Sequence, residues 1–340
     1  MTTSLEGLDL ASLDRHLRDV GVPRSGELRA ELISGGRSNL TFLVADDAAK
    51  WVLRRPPLHG LTPSAHDMAR EYRVVAALAD TPVPVPRAVT MRNDDVVSGA
   101  PFQMVEYVPG RVVRHAEDLE ALGDSISDCV DALIKVLADL HAVDPDAVGL
   151  GDFGKPTGYL ERQVRRWGSQ WDLVKRENDP FDADVRRLHS ALAEALPEQS
   201  RTSIVHGDYR IDNTMLDADD PTKVLAVLDW EMSTLGDPIS DAALMCVYRH
   251  PLFNVIHASS AWASPKMPEA DDLANRYSVA AQQSLDNWDF YMALGYFKVA
   301  IIAAGIAFRA RQGGGVAADT EEVDKAVGPL IAEGLRVLRR

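Results

Sequence analysis

The chain of 340 residues carries a formal net charge of −15, with 46% hydrophobic and 26% charged residues. Such a balance is that of an ordinary globular protein, long enough for one or two cores, and it argues against broad binding to nucleic acid or an anionic membrane. Two cysteines, Cys129 and Cys246, stand far apart in helical-looking stretches and read as reduced and buried, which suits a cytoplasmic location. The first 21 residues, MTTSLEGLDLASLDRHLRDVG, lack the basic start and apolar core of a signal peptide. The most apolar segment, 291–308, holds Lys298 near its middle with Arg309 and Arg311 close behind. A buried core helix is expected there rather than a membrane span.

In chain order, Leu10, Leu13, Leu17 and Val20 recur at helical spacing, and Gly21-Val22-Pro23 ends that helix. Strands are expected at 28–33, 40–45 and 50–54, with Gly35-Gly36 and Asp46-Asp47 as the turns of two hairpins. Thr62-Pro63 reads as the cap and first-turn proline of a helix whose apolar face is Met68, Tyr72, Val75 and Leu78. Pro82, Pro84 and Pro86 stop it, and strands at 87–91 and 102–107 follow, with a turn around Ser98-Gly99. Three strands, a helix and two strands indicate a small α+β layer. Pro109-Gly110 is the best linker. Beyond it Leu133, Val136, Leu137 and Leu140 mark a long helix ending near His141, and further helices are expected at 159–175, 241–248, 274–283, 286–309 and 320–338. The expected organisation is a sheet-rich domain at 1–107 and a mainly helical domain at 108–340.

The chemistry concentrates in residues 204–241, IVHGDYRIDNTMLDADDPTKVLAVLDWEMSTLGDPISD. His206, Asp208, Asn213 and Asp229 match in type and spacing the H-x-D-x-x-x-x-N run of protein kinases and its following strand-end aspartate. Phosphoryl transfer needs a positioned hydroxyl and neutralised phosphate charge. Asp208 is the candidate base. Asn213 and Asp229 are candidate oxygen ligands for Mg2+, which takes few hard donors from protein. Glu231, two residues beyond Asp229, would face the same side on a strand-like path and is a further candidate ligand, with an exposed loop glutamate as the competing reading. His206 is expected to fix the loop by a hydrogen bond. Asp237 and Asp241 are expected to accept backbone N–H bonds or cap the next helix.

The nucleotide cradle is expected in the N-terminal domain. Gly35, Gly36, Arg37 and Ser38 join two strands, and the glycines would let backbone N–H groups approach phosphates, although a hairpin turn looks the same. The third strand of a kinase carries a lysine that pairs with phosphates. Here Trp51-Val52-Leu53 leads to Arg54, with Glu71 on the following helix as its ion-pair partner; two ordinary surface charges are the alternative. Glu106 to Val108 would offer backbone groups to an adenine edge, on chain order alone.

With HGDYRIDN, LDWE and Gly236-Asp237-Pro238 in view, the chain resembles the aminoglycoside phosphotransferase and choline kinase-like family, from Gly35-Gly36 through the helical part. That resemblance implies a bilobal protein kinase-like α+β fold, with a five-stranded antiparallel sheet and a helix in the small lobe and a mainly helical large lobe. It further implies ATP with Mg2+, transfer of the γ-phosphate to a small-molecule hydroxyl, Asp208 as base, Asn213 and Asp229 as metal ligands, and Glu71 as the helix partner. Arg54 departs from the usual lysine. VLRRPP, SAHDMAREYRV, VGLGDFG, YLERQVRRW and VLDWEMSTLGDP look most similar to the kinase-like domain fused to acyl-CoA dehydrogenases and to its stand-alone bacterial relatives, which implies a hydroxyacyl-CoA acceptor. Arg162, Arg165, Arg166, Trp167 and Trp171 lean the same way, since a CoA ester wants arginines and an aromatic surface. An amphipathic helix with its tryptophans in the core is the competing reading.

The expectation is therefore a small-molecule kinase, with an aminoglycoside phosphotransferase as one alternative and a nucleotide-binding pseudokinase as another. A small-molecule acceptor is the expected partner, without nucleic acid or membrane. Acceptor identity, nucleotide preference and oligomeric state are not legible.

Overall fold

Alternating apolar side chains build the N-terminal sheet, in a computed structural model that describes residues 5–34, 39–57, 67–257, 260–313 and 320–339. The chain divides into two compact units, Met1–Gly110 with Leu225–Glu231, and Arg111–Val224 with Met232–Arg340.

The first unit runs α1 Leu10–Asp19, β1 Arg29–Ser34, β2 Leu40–Ala45, β3 Lys50–Arg55, α2 Met68–Leu78, β4 Ala88–Arg92 and β5 Phe102–Glu106. The strands form one antiparallel sheet in the order β1-β2-β3-β5-β4. Phe42, Leu53 and Met104 lie opposite one another across β2, β3 and β5. With Val44, Trp51 and Phe102 they form the core in which Leu13 and Leu17 of α1 are buried. Each fully buried leucine contributes about 1.5–3 kcal/mol, so those two fasten α1. The cap of α2 is Asp67, whose carboxylate accepts from Arg70 N at 3.0 Å; the expected Thr62-Pro63 lies outside the described residues. Because side chains alternate along a strand, Arg54 and its cross-strand partner Gln103 project from the face opposite Leu53, and α2 packs over β4 and β5.

The second unit is mainly helical. Its elements are α3 Ala116–Glu120, α4 Ile126–Ala142, α5 Tyr159–Val174, α6 Asp182–Glu194, β6 Ser203–Val205, β7 Thr214–Leu216, β9 Thr234–Gly236, α7 Pro238–Val247, α8 Phe253–Ile256, α9 Ala270–Ala281, α10 Trp288–Arg311, α11 Thr320–Lys325 and α12 Val327–Val337. The remaining strand, β8 Val224–Val227, belongs to the first unit from Leu225 onward. Strands β6 and β9 pair antiparallel. Helix α10 packs against α5, α6, α7, α11 and α12. It is long and apolar enough to cross a membrane, and 83% of that stretch is buried inside the fold, so its composition follows from being enclosed. The single helix expected at 320–338 is two helices, α11 and α12. Pro329, in the first turn of α12, would set its ring against the carbonyl of Lys325 in a continuous helix.

Candidate active site

In the first unit a charged cluster forms around Arg54. Its Nη1 lies 3.0 Å from Glu71 Oε2 and its Nη2 lies 3.3 Å from Asp229 Oδ1. Gln103 Nε2 donates to the same Glu71 oxygen at 2.7 Å, while Glu71 Oε1 is buried without a partner. Burial pushes the Glu71 carboxyl up to about 7; the charges of Asp229 and Glu231 add to the rise, and Arg54 and Gln103 oppose it. Arg54 is held above its ordinary value, because Glu71 and Asp229 outweigh the cost of burying its charge. The neighbouring Arg55 points to the other face, where it is buried and donates to the carbonyls of Pro56, Gly7 and Ser98.

Asp229 has φ 60°, the left-handed region that short polar side chains tolerate better than most. The strand before it is tied by Val227 N donating to Pro84 O at 2.8 Å, and the Trp230 indole donates to Val227 O at 3.1 Å. The chain then enters a 3-10 turn, Trp230–Met232. The strand-like path expected from Asp229 to Glu231 is thereby corrected: the left-handed residue turns the chain, and Glu231 is exposed, acting on Arg54 and Glu71 by its charge. Glu106 ends β5 with its N–H donated to Arg87 O at 2.9 Å. The Val108 N–H makes no hydrogen bond among the described residues. Gly35, Gly36, Arg37 and Ser38 lie outside the described residues.

In the second unit β6 leads into the loop that carries Asp208. Gly207 has φ 83°, and a Cβ there would stand 2.7 Å from Met232 O, so both backbone and space require glycine. Asp241 of α7 accepts from His206 N at 2.5 Å and Gly207 N at 2.8 Å. Asp237 caps α7 and also takes Ser200 and the Tyr291 hydroxyl. His206 Nδ1 accepts from Asp208 N at 3.2 Å, and Tyr209 Oη donates to Leu133 O at 2.7 Å. The backbone under Asp208 is therefore held on several sides.

The Asp208 carboxylate is itself surrounded by donors. Tyr248 Oη donates to Oδ1 at 2.5 Å, Asn213 Nδ2 to Oδ2 at 2.9 Å, and Arg210 reaches both oxygens at 3.3 Å. Burial alone would raise this carboxyl, but Arg210, the Tyr248 hydrogen bond, Lys298 and His206 outweigh it and hold it below the usual aspartate value. Arg210 also pairs with Asp212 at 2.5 Å and lies over the rings of Tyr248 and Phe253. Asn213 Nδ2 donates again to Asp208 O at 2.8 Å. Both amide hydrogens are thus committed, and Asn213 Oδ1 is left as a hard oxygen. In the other unit Asp229 Oδ2 makes no hydrogen bond among the described residues. Each of these oxygens, taken within its own unit, is a hard donor of the kind Mg2+ accepts.

The arginine and tryptophan cluster on α5 is mostly structural. Trp171 and Trp167 are buried, and their indoles donate to Asp182 and Gln163. Arg162 donates to the carbonyls of Thr157 and Lys155, and Arg165 pairs with Glu161 in solvent. Arg166 lies over Trp167 at 5.5 Å.

Sequence spacing pointed to Arg54, Glu71 and Asp229, which the fold brings together, and to Asp208 and Asn213, which it also brings together. Gln103, Arg210, Tyr248 and Lys298 were missed as members of these clusters. Arg210 sits between Asp208 and Asn213 in the sequence and was findable by position, and Lys298 stood out as a cation in an apolar run. Nothing local marks Gln103 or Tyr248.

Known proteins share this architecture and these sequences. A family model described as the phosphotransferase enzyme family matches residues 29–291. Acyl-CoA dehydrogenase family member 10 of Mus musculus is 34% identical over 321 residues, covering 92% of this chain and 30% of that protein. The chain spans 30% to 44% of the length of such relatives. The crystal structure of a candidate aminoglycoside phosphotransferase from Ralstonia eutropha JMP134 is 32% identical and superposes with a TM-score of 0.82, covering 98% of each chain. A thermostable aminoglycoside phosphotransferase APH(4)-Ia, in complex with AMP-PNP and hygromycin B, has a TM-score of 0.62 at 15% identity over 96% of this chain and 98% of that one, and so shares the fold alone. With its five-stranded antiparallel sheet, its mainly helical second unit and a family match over most of its length, the chain belongs to the phosphotransferase enzyme family.

Proposed function

We propose that the protein is an ATP- and Mg2+-dependent kinase that transfers the γ-phosphate to the hydroxyl of a small molecule, with a hydroxyacyl-CoA as the acceptor class. The observation that carries this is the Asp208 carboxylate, kept ionised by Tyr248, Asn213 and Arg210 on a loop with an anchored backbone. ATP supplies the phosphoryl group, and Mg2+ offsets the charge on its oxygens.

Asp208 orients the acceptor hydroxyl. Its depressed pKa makes it a weak base in the ground state, so it takes the proton late, as the new O–P bond forms and the hydroxyl becomes acidic. A loose transition state asks for that order. Asn213 Oδ1 and the Asp229 carboxylate are assigned to Mg2+. Arg54 binds phosphate oxygens with its fork steadied by Glu71, the Gly35 to Ser38 stretch is assigned to the phosphates, and the Val108 N–H is assigned to the adenine edge. The acceptor class is supported by the acyl-CoA dehydrogenase family relatives; the α5 arginines add little, being largely occupied. A cytoplasmic location is part of the proposal, supported by two buried free cysteines.

Purified protein with ATP, Mg2+ and a panel of hydroxyacyl-CoA esters should release ADP and yield a phosphorylated ester by mass spectrometry. Asp208→Ala should lower kcat by about 1,000-fold. A wild type that phosphorylates aminoglycosides but no acyl ester overturns the acceptor class, and one inert on every hydroxyl acceptor overturns the kinase.

A further inference from the structure

Lys298 lies in the middle of α10, between the fully enclosed Phe297 and the buried Val299. A lysine at such a place is costly, since an apolar side chain of similar volume there is commonly neutral or stabilising. Its ammonium makes no ion pair among the described residues. Nζ donates to Gly207 O at 2.7 Å and stands 5.7 Å from the centre of the Trp167 ring. The residue after Gly207 is Asp208, whose carboxylate is stabilised by the Lys298 charge.

We propose that Lys298 is a positioning residue for Asp208, its ammonium pinning the Gly207 carbonyl and so fixing where the next residue presents its carboxylate. This rests on the phosphoryl-transfer function proposed above. The catalytic loop is then held from two helices by opposite charges. Asp241 of α7 takes its N–H groups, and Lys298 of α10 takes the one carbonyl between them and the base. The ammonium is half-buried beside the Trp167 ring, where its field at Asp208 is stronger than in open water.

The same burial sets a pH limit. Burial lowers the Lys298 pKa, Asp208 and Asp241 favour its proton, and Arg166 of α5 opposes it. On the other elements packed against α10, His189 of α6 lies on Phe297, Glu333 and Arg336 of α12 act on Tyr296, and Asp324 of α11 pairs with Arg311. As pH rises through the lowered pKa, Lys298 becomes neutral and its hold on Asp208 is lost. Activity should therefore fall on the alkaline side at a pH below the ordinary lysine range.

The test measures ATP turnover by the full chain, with water and with the best acceptor, alongside thermal melting. Lys298→Met should lower kcat by about 10- to 100-fold, leave KM for ATP unchanged, and hold or raise Tm. Lys298→Arg, which stays charged at every accessible pH, should keep more kcat than Lys298→Met and move the alkaline limb upward. A methionine variant with wild-type kcat overturns the proposal. So does one whose kcat and Tm fall together, or an arginine variant with the alkaline limb unmoved. A wild type that turns over no ATP with either acceptor overturns the kinase function instead, and this inference falls with it.

Discussion

Glu71 in the first unit and Asp208 in the second are both carboxylates beside an arginine, yet they titrate in opposite directions. Glu71 is pushed up to about 7, whereas Asp208 is held below the usual aspartate value. Burial raises both. The difference lies in the donors. Arg54 is shared between Glu71 and Asp229, and the other donor to Glu71, Gln103, meets the same oxygen, so Oε1 is left without a partner. Asp208 has donors on both oxygens, from a phenol, an amide and a guanidinium that it shares with Asp212, with an ammonium nearby. An adjacent arginine does not decide the ionisation of a buried carboxylate; the number of donors and the oxygens they reach do.

The largest break in this contrast comes from removing Arg54. Arg54→Met leaves Glu71 buried with Gln103 alone, and at pH 8 the variant should lose about 4 kcal/mol of stability. Near pH 5 Glu71 is already protonated in the folded wild type, so the loss should shrink to a small fraction of that. Urea unfolding at the two pH values measures it. Equal losses at both would mean that Arg54 acts by packing and not by charge.

Glu71→Gln comes next. Below pH 4.5 the carboxyl is protonated folded or unfolded, and the two proteins share one reference. Between 4.5 and about 7 the folded wild type keeps a proton that the unfolded chain has released. Wild-type stability therefore falls as pH rises through that window. The glutamine variant lacks this component, so its stability relative to wild type should climb by about 3 kcal/mol from pH 4.5 to 7.5. A flat difference would place the folded Glu71 pKa near its ordinary value and remove one side of the contrast.

Much of the cluster around Arg54 was legible beforehand, because a strand alternates and a helix repeats. Leu53 in the core forces Arg54 to the other face, and Glu71 lies on a helix whose apolar positions were plain. Gln103 became visible only through register, since its place opposite Arg54 depends on which residues of β3 and β5 pair. Helix α6 was missed although Val185, Leu188 and Leu192 carry its buried face at helical spacing. The path to Glu231 failed for a backbone reason, because no periodicity announces a left-handed aspartate. At Asp208, spacing found the carboxylate and Asn213 but not what sets their chemistry. Tyr248 comes from α7's C-terminal cap and Lys298 from the middle of α10, each brought in by tertiary packing.

Tyr248 offers the finest test of the donor account. Tyr248→Phe removes one hydroxyl from a ring that is otherwise buried against Phe253, so packing is kept and only the bond to Asp208 Oδ1 is lost. One such hydrogen bond to a charged carboxylate contributes about 2 kcal/mol to folding, the smallest stability effect considered. Because the folded pKa of Asp208 is depressed, that contribution is present above the unfolded value of 3.8 and disappears as pH falls through the folded value. With the phenol gone, Oδ1 keeps only Arg210, and the Asp208 pKa should rise. The acid limb of kcat should move to higher pH, and kcat at neutral pH should fall by about tenfold as the carboxylate loses one fixed direction. If the limb stays in place while stability drops, the phenol has no part in setting the charge of Asp208. The two carboxylates would then differ by how many oxygens the arginine reaches, one at Glu71 and both at Asp208, with no part for the phenol.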